Sequence, residues 1–223
     1  MLDRYADDPA VRAATFVVLD FEGTTPAGYP AEPIEVGAVL LRLRQKPAGH
    51  WELAEAGRFE SLIRPPRHAP VTVFDTRQTG ITATMLAGRP DAATVLAALD
   101  ATLTSPPYVT VAHHAPTEAG ILRRHATACP TLAAAPMLDT LQLARHTHPG
   151  LPNHQLDTLL AQLGIPIPPA RHRALPDAVA TAAVLQALLA DGAHRLRWTT
   201  LAQLQALAGL APPHPAAEQA TLF

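Results

Sequence analysis

Four acidic residues and one histidine, spread over most of the chain, form the set whose types and spacing could do chemistry. Asp20 and Glu22 lie two residues apart, Glu118 stands alone near the middle of the chain, and His172 precedes Asp177 by five residues. Carboxylates of this kind suit a pair of hard divalent cations, and a histidine beside them suits a base. The chemistry that this combination predicts is hydrolysis of phosphodiester bonds.

The local sequence explains how these side chains could meet. Asp20 and Glu22 end a short apolar run that is predicted to be a buried strand, and residues two apart on a strand share one face. Asp177 is predicted at a helix start, with His172 on the preceding loop. Taken singly, each has an ordinary alternative: an exposed strand end, an acid that favours the helix dipole, or a solvated loop histidine. The joint occurrence in this order favours a site.

The elements that must position the set are predicted from hydrophobic periodicity and turn residues. Three early strands with short links predict an antiparallel meander, and the later alternation of strands and helices predicts parallel pairings. We therefore expect an α/β protein with a mixed five-stranded sheet and helices on both faces. The predicted strands cover residues 15–20, 34–44, 51–63, 108–113 and 137–140. The predicted helices cover residues 91–103, 116–128, 153–163, 176–189 and 199–210.

The composition excludes several classes of protein. The chain has 223 residues, 48% of them hydrophobic, which predicts one domain and a tail. A net charge of −2 argues against a protein that coats nucleic acid, although not against an enzyme that holds one strand end. Cys129 is the single cysteine, so no intramolecular disulfide is expected. With no apolar run of about 20 residues and acidic residues at the N-terminus, we expect a cytoplasmic protein without a membrane span.

Several short motifs along residues 14–191 make the interpretation more specific. They are Asp20-Phe21-Glu22-Gly23-Thr24-Thr25, Ile34-Glu35-Val36-Gly37, Arg64-Pro65, Thr79-Gly80-Ile81-Thr82, Ala112-His113-His114-Ala115 with Glu118, Met137-Leu138-Asp139-Thr140-Leu141, and His172-Arg173-Ala174-Leu175-Pro176-Asp177. Together they resemble the motifs of the DEDDh 3′-to-5′ exonucleases, the family that holds the epsilon proofreading subunit of bacterial DNA polymerase III and RNase T.

The resemblance implies an RNase H-like three-layer fold and a mechanism with two Mg²⁺ or Mn²⁺ ions. It implies that Asp20, Glu22 and Asp177 hold the ion that carries the attacking water, and that Asp20 also reaches the second ion. Glu118 would support that second site through water, and His172 would take the proton from the attacking water. The substrate would be a nucleic acid with a free 3′ end, and the products would be 5′-mononucleotides.

By the same resemblance, Phe21, Gly23, Thr24 and His114 lie near the terminal nucleotide. Phe21 has two open alternatives, stacking on a base or packing in the core. Two positions depart from the family: Glu118 stands where aspartate is usual, and His114 where asparagine is usual. The longer glutamate keeps the charge, so we expect activity to survive with a shifted metal preference. A zinc site on His113 and His114 is disfavoured, because adjacent strand residues face opposite ways.

The division that we expect is an N-terminal extension (1–13), an exonuclease domain (14–193), a C-terminal helix (194–210) and a Pro/Ala linker with a tail (211–223). The tail sequence Gln219-Ala220-Thr221-Leu222-Phe223 resembles the pentapeptide that binds the bacterial sliding clamp. In that mode Leu222 and Phe223 enter an apolar groove and Gln219 bonds at its rim. The alternative is that Leu222 and Phe223 fold back on the domain.

The function that follows is removal of nucleotides from the 3′ end of DNA, with recruitment by the clamp. Two alternatives stay open: an RNA-trimming exonuclease of the same fold, and a non-catalytic module that binds the clamp and has a degenerate site. The tail is the main reason to favour DNA over RNA.

Overall fold

A computed structural model describes residues 2–210, and its centre is one five-stranded sheet. The sheet has the order β3-β2-β1-β4-β5. The first three strands pair antiparallel as a meander, while β4 lies parallel to both β1 and β5. This confirms the predicted mixed sheet. The strands are β1 (Thr15–Thr24), β2 (Glu32–Gln45), β3 (Trp51–Leu62), β4 (Tyr108–Ala112) and β5 (Met137–Asp139).

Helices cover both faces of this sheet, as predicted. They are α1 (Pro9–Ala13), α2 (Val73–Thr79), α3 (Ala83–Leu86), α4 (Ala92–Ala101), α5 (Pro116–Arg124), α6 (Pro130–Ala134), α7 (Thr140–Thr147), α8 (Leu156–Gln162), α9 (Ala174–Asp191) and α10 (Leu201–Ala208). A 3₁₀ turn (Asp3–Asp7) precedes α1, and a π turn (Gly192–Leu196) follows α9.

The alternation of side chains along β1 explains the two apolar layers. Phe16 and Val18 belong to a core cluster that includes α7, α8, α9 and α10, whereas Val17 and Leu19 belong to a second cluster with α4, α5 and α6. All four side chains are fully buried. Because successive residues of a strand point to opposite faces, one strand supplies both cores. The outcome is the predicted arrangement of three layers.

Several predicted boundaries are wrong, and local hydrogen bonds explain why. The helix predicted from residue 153 begins at Leu156, because the Asn153 side chain accepts from Gln155 N and Thr158 Oγ1 and so holds a turn ahead of the helix. The helix predicted to reach residue 128 ends at Arg124, where the chain turns towards the proline that opens α6. The strand predicted for residues 15–20 continues to Thr24 through its pairing with β2.

Two helices between the third and fourth strands were not predicted. The helix α2 begins at a capping box, in which Thr72 Oγ1 accepts from Asp75 N and Asp75 Oδ2 accepts from Thr72 N. It ends at Gly80, which has a φ of 72° and is left-handed. Thr72 followed three residues later by Asp75 is the sequence signal for this helix start.

One helix segment in the described part of the chain, Ala174–Leu196, is long and apolar enough to cross a membrane by length and composition. Half of its apolar window is buried, and Ala178, Thr181, Leu185 and Leu188 are fully buried within the protein. The segment is the long helix that packs across β1 and β2. Its apolar character follows from this central position in the core.

Candidate active site

The site is built at the end of β1, which extends beyond its parallel neighbour. Pairing of β1 with β4 stops at Val18, whereas pairing with β2 continues through Asp20 and Glu22. The two acids share one face of the strand, as predicted. Asp20 is half-buried, and Glu22 is buried at 8% exposure. This open end of the sheet leaves room for other elements to approach the two carboxylates.

The helix α9 approaches because Gly37 has no side chain. Gly37 lies opposite Asp20 on β2, and a Cβ atom at this glycine would collide with the backbone of Ala174 and Leu175. The close crossing brings the first turn of α9 over the strand, and with it Asp177, which is buried. A glycine on β2 therefore permits Asp177 to reach the acids of β1.

The loop before α9 is fixed by a buried carboxylate on β2. Glu35 is fully buried; its oxygens accept from Arg173 Nε at 3.0–3.1 Å and from Ala174 N at 2.9 Å. Asp177 Oδ2 accepts from His172 N at 3.2 Å. His172 has a left-handed φ of 61°, and its side chain is exposed. The backbone of the loop is thus held in place while the imidazole faces solvent, as a base for water would require.

Glu118 comes from the opposite side of the site, in the first turn of α5. It is 6% exposed, and its Oε2 has no hydrogen-bond partner among residues 2–210. The preceding turn contains His114, with a left-handed φ of 63°, whose N–H donates to Asp139 Oδ1 at 2.9 Å. Among residues other than glycine, asparagine, aspartate and histidine adopt this backbone most readily, which explains why histidine can stand here in place of the usual asparagine.

The pKa values of the carboxylates show that they share one region. Burial, followed by the charges of Glu118, Asp177 and Glu22, raises the pKa of Asp20 well above its ordinary value. Burial and then the charge of Asp177 raise the pKa of Glu22 to about 7. Burial raises the pKa of Glu118 to about 8, with a smaller contribution from nearby acids. The four predicted acids therefore lie near one another. A bound cation would offset the repulsion between their negative charges.

The donor set fits hard divalent cations. Donor atoms of Glu22, His172 and Asp177 lie within 4.8 Å of one another. Asp20 adds a carboxylate whose pKa is raised by the charges of Glu22 and Asp177. Glu118 adds a buried oxygen that has no hydrogen-bond partner within residues 2–210. Magnesium and manganese prefer carboxylate oxygens and keep several waters, so the few oxygens present suffice.

A cleft of about 500 Å³ lies beside the end of β1. Thr24, one of its lining residues, is 2% exposed, and its Oγ1 lacks a partner within residues 2–210. Phe74 on its wall is 74% exposed, and the rings of Tyr29 and His68 stack nearby with centroids 4.5 Å apart. The cleft is lined by Thr24, Thr25, Pro26, Ala27, His68, Pro70, Thr72, Phe74 and Asp75.

Two of the residues predicted to contact substrate have structural explanations. Phe21 is buried in the core cluster that includes Ala115 and Ala119, which is the packing alternative. A Cβ atom at Gly23 would lie 3.0 Å from Glu32 O, so the glycine serves the close pairing of β1 with β2. Of the four candidates, Thr24 alone lines the cleft, while His114 lies exposed beside Glu118.

Sequence reasoning missed the residues that place the loop and the turn. The motifs assign no role to Glu35 or Gly37, although an acid and a glycine two residues apart on a buried strand are a signal for a crossing helix. Asp139 holds the turn at His114, and Arg171 pairs with Asp177; neither role has a signal in the local sequence. Gln219, Leu222 and Phe223, the predicted partner-binding residues, lie outside the described residues.

Comparison with known proteins gives matches over most of the chain. A family model described as "Exonuclease" matches residues 17–185. The DNA polymerase III subunit epsilon-like protein of Rhodobacter capsulatus is 35% identical over 178 residues, which are 78% of this chain and 24% of that protein. The PolC-type DNA polymerase III of Halalkalibacterium halodurans is 34% identical over 184 residues, 81% of this chain and 12% of that protein. The chain therefore spans a quarter or less of the length of these relatives.

Two solved structures show the same fold. The nuclease domain of 3′hExo, described as a DEDDh family member bound to rAMP, superposes with a TM-score of 0.63 at 20% identity, covering 83% of this chain and 95% of that domain. Exonuclease X in complex with 5′ overhanging duplex DNA gives a TM-score of 0.58 at 22% identity, covering 86% of this chain and 97% of that one. These likenesses confirm the predicted RNase H-like fold.

Proposed function

From the premise that the chain belongs to the exonuclease family and carries a DEDDh-type exonuclease domain, we propose that it removes nucleotides one at a time from the 3′ end of DNA with the help of two divalent cations. The observation that carries the proposal is that four carboxylates from three separate elements lie in one region of the protein. Asp20 and Glu22 come from β1, Glu118 from α5 and Asp177 from α9. Such a buried concentration of acids is costly unless cations neutralise it.

In this proposal, Asp20, Glu22 and Asp177 hold one Mg²⁺ or Mn²⁺ ion, and Asp20 with Glu118 supports the second. Bound cations would lower the pKa of the attacking water and neutralise charge on the leaving oxygen. The imidazole of His172 accepts one proton from that water, whose oxygen bonds to phosphorus as the bond from phosphorus to the 3′ oxygen breaks, and the departing 3′ oxygen takes up a proton from solvent. The products are a strand shortened by one residue, with a 3′ hydroxyl, and a 5′-mononucleotide.

His172 serves better as the base than as a ligand. Its donor atom lies within 4.8 Å of the oxygens of Glu22 and Asp177, so coordination is geometrically open to it. However, magnesium prefers oxygen over imidazole, and the side chain of His172 is exposed to solvent. An imidazole can accept the proton at a ring nitrogen that carries no hydrogen.

The cleft beside Thr24 supports a nucleic acid as substrate. Its exposed aromatic ring, Phe74, offers a face on which a base can stack. Thr24 lies two residues beyond Glu22 on the same strand, about 7 Å along it. The base would therefore sit next to the nucleotide that is held at the carboxylates.

The preference for DNA is supported by the relatives, both of which are named as DNA polymerase III proteins. The proposal is tested by digesting 3′-labelled and 5′-labelled single-stranded DNA and RNA with Mg²⁺, Mn²⁺ or EDTA. We expect 5′-mononucleotides from DNA, dependent on metal, with loss of at least about 1,000-fold in Asp20→Ala. Asp7→Ala, a change at an exposed acid, is the matched control. Faster digestion of RNA than of DNA would identify RNA as the preferred substrate. An Asp20→Ala protein as active as the wild type would refute the proposed site.

We also propose that Gln219, Leu222 and Phe223 bind the bacterial sliding clamp, which would raise the local concentration of the nuclease at a primer end. The support is the sequence of the pentapeptide after a Pro/Ala linker. Binding of the full chain to purified clamp is measured by surface plasmon resonance, beside a Leu222→Ala/Phe223→Ala variant. Equal binding by the two proteins would refute this part of the proposal, and equal digestion of free oligonucleotides serves as the control for folding.

A further inference from the structure

Arg171 links the candidate metal site to the protein surface through two carboxylates. Its Nη1 pairs with Asp177 Oδ1, and its Nε lies 2.6 Å from Asp157 Oδ1. The exposure of the three side chains increases towards the surface: Asp177 is 7% exposed, Arg171 is 17% exposed and Asp157 is 55% exposed. The guanidinium group therefore has one partner inside the site and one partner in contact with solvent.

Arg171 is the positively charged side chain that pairs with the acidic cluster. Within residues 2–210, no other lysine or arginine pairs directly with Asp20, Glu22, Glu118 or Asp177. The charge of Arg171 also opposes the rise in the pKa of Asp20 and of Glu22, so it acts on more than its direct partner. Arg173, the neighbouring arginine, pairs directly with the buried Glu35, and its charge opposes the rise in the pKa of Glu22 but is not among the causes that act on Asp20.

This pairing conflicts with full use of Asp177 as a metal ligand. Asp177 has two oxygens: Oδ2 accepts from the backbone of His172, and Oδ1 pairs with Arg171. A divalent cation placed among Glu22, His172 and Asp177 would lie against the guanidinium group, where like charges repel. Release of Arg171 from Asp177 relieves this repulsion, and Asp157 is already positioned to retain the released side chain.

We propose that Arg171 is the resident counter-charge of the metal site and sets its affinity: it pairs with Asp177 in the metal-free protein and is held by Asp157 alone once a divalent cation binds. The inference rests on the proposed metal site. It differs from a purely structural role for Arg171, in which the arginine holds Asp177 in position and its loss weakens metal binding. The two roles predict opposite signs for the same substitution.

The test is Mn²⁺ binding to the full-length protein by isothermal titration calorimetry. Arg171→Gln removes the competitor, so we expect Mn²⁺ to bind about 10-fold more tightly. Asp157→Asn removes the outer partner and leaves Arg171 with Asp177, so we expect Mn²⁺ to bind several-fold more weakly. Arg58→Gln, which breaks the exposed pair with Glu55 on β3, carries the same loss of charge away from the site and should leave the affinity unchanged.

A second measurement is the thermal unfolding midpoint in EDTA and in saturating Mn²⁺. Arg171→Gln should lower the midpoint in EDTA, where the acids lose their counter-charge, and should leave the midpoint in Mn²⁺ near that of the wild type. The gap between the two conditions should therefore widen in the variant and remain unchanged in Arg58→Gln.

The outcomes separate the inference from the function on which it rests. If the wild type binds Mn²⁺ and folded Arg171→Gln binds it equally or more weakly, Arg171 is a structural support and the inference is wrong. If Asp157→Asn binds Mn²⁺ more tightly than the wild type, the role of Asp157 as the outer partner is wrong. If the wild type binds neither Mn²⁺ nor Mg²⁺, the proposed metal site itself fails, and the inference fails with it.

Discussion

Replacing Glu118 by glutamine should remove much of the pH dependence of stability in the metal-free protein. Burial raises the pKa of Glu118 from its ordinary value of 4.5 to about 8. A group whose pKa is higher in the folded state binds more protons when folded, so its contribution to stability is present below pH 4.5 and is lost as the pH rises towards 8. The site thus becomes less stable through the neutral range unless a cation is present.

The magnitude follows from the same shift. A tenfold change in a protonation constant corresponds to about 1.4 kcal/mol, so ionising Glu118 costs about 3 kcal/mol of unfolding free energy between pH 5 and pH 8. For a domain of this size, such a loss lowers the unfolding midpoint by roughly 6–12 °C. Glutamine has nearly the same shape and cannot ionise. Between pH 5 and pH 8 the Glu118→Gln protein should therefore lose about 3 kcal/mol less of its free energy of unfolding than the wild type.

The assay is urea unfolding in EDTA at pH 5 and at pH 8, for wild type, Glu118→Gln and Glu60→Gln. Glu60 is an exposed residue of β3 and serves as the matched control. Adding Mg²⁺ at pH 8 should restore stability to the wild type more than to Glu118→Gln. The reasoning is refuted if wild type and Glu118→Gln lose the same free energy of unfolding between the two pH values.

Three further predictions concern the residues that shape the site. Gly37→Ala should lower stability by about 1–3 kcal/mol and abolish digestion, because a Cβ atom there displaces the start of α9; urea unfolding and oligonucleotide digestion check this. Glu35→Gln should cost about 2 kcal/mol and lower kcat at least tenfold with little change in KM, since the loop that carries His172 loses its anchor. Phe74→Ala should raise KM for single-stranded DNA about 10-fold through lost stacking and leave the unfolding midpoint unchanged. A nucleoside 5′-(p-nitrophenyl phosphate), which has no neighbouring base, should be hydrolysed equally by Phe74→Ala and wild type.

The sequence predicted the sheet and the acids because both depend on local patterns. Alternating and continuous apolar runs located all five strands, and the order of the motifs selected Asp20, Glu22, Glu118 and Asp177, which lie close together in the structure. The boundaries were less predictable. At Asn153 a side chain captures backbone groups and delays the helix, and periodicity of apolar residues carries no information about such a contact.

The support of the site could not be predicted in this way, because it depends on contacts between distant parts of the chain. Glu35 and Arg173 are separated by 138 residues, and each alone is an ordinary charged residue. The same holds for Gly37, whose missing side chain matters because α9 crosses β2 at that point. A residue of this kind is recognised once its partner is known, whereas a metal ligand can be recognised by its chemical type.

The supports also explain how a strongly charged cluster can exist in the folded chain. Buried acids that repel one another need a rigid frame, and the frame here consists of neutralised pairs next to the cluster: Glu35 with Arg173 under the loop, and Asp177 with Arg171 at its edge. In the first pair, Glu35 is fully buried and its oxygens also accept from Ala174 N, so the carboxylate is wholly engaged by the loop. The second reaches solvent through Asp157, and it is the pair that a divalent cation can displace. Stability of the empty site and affinity for the cation are therefore opposed through one arginine, and improving either by substitution at Arg171 should weaken the other.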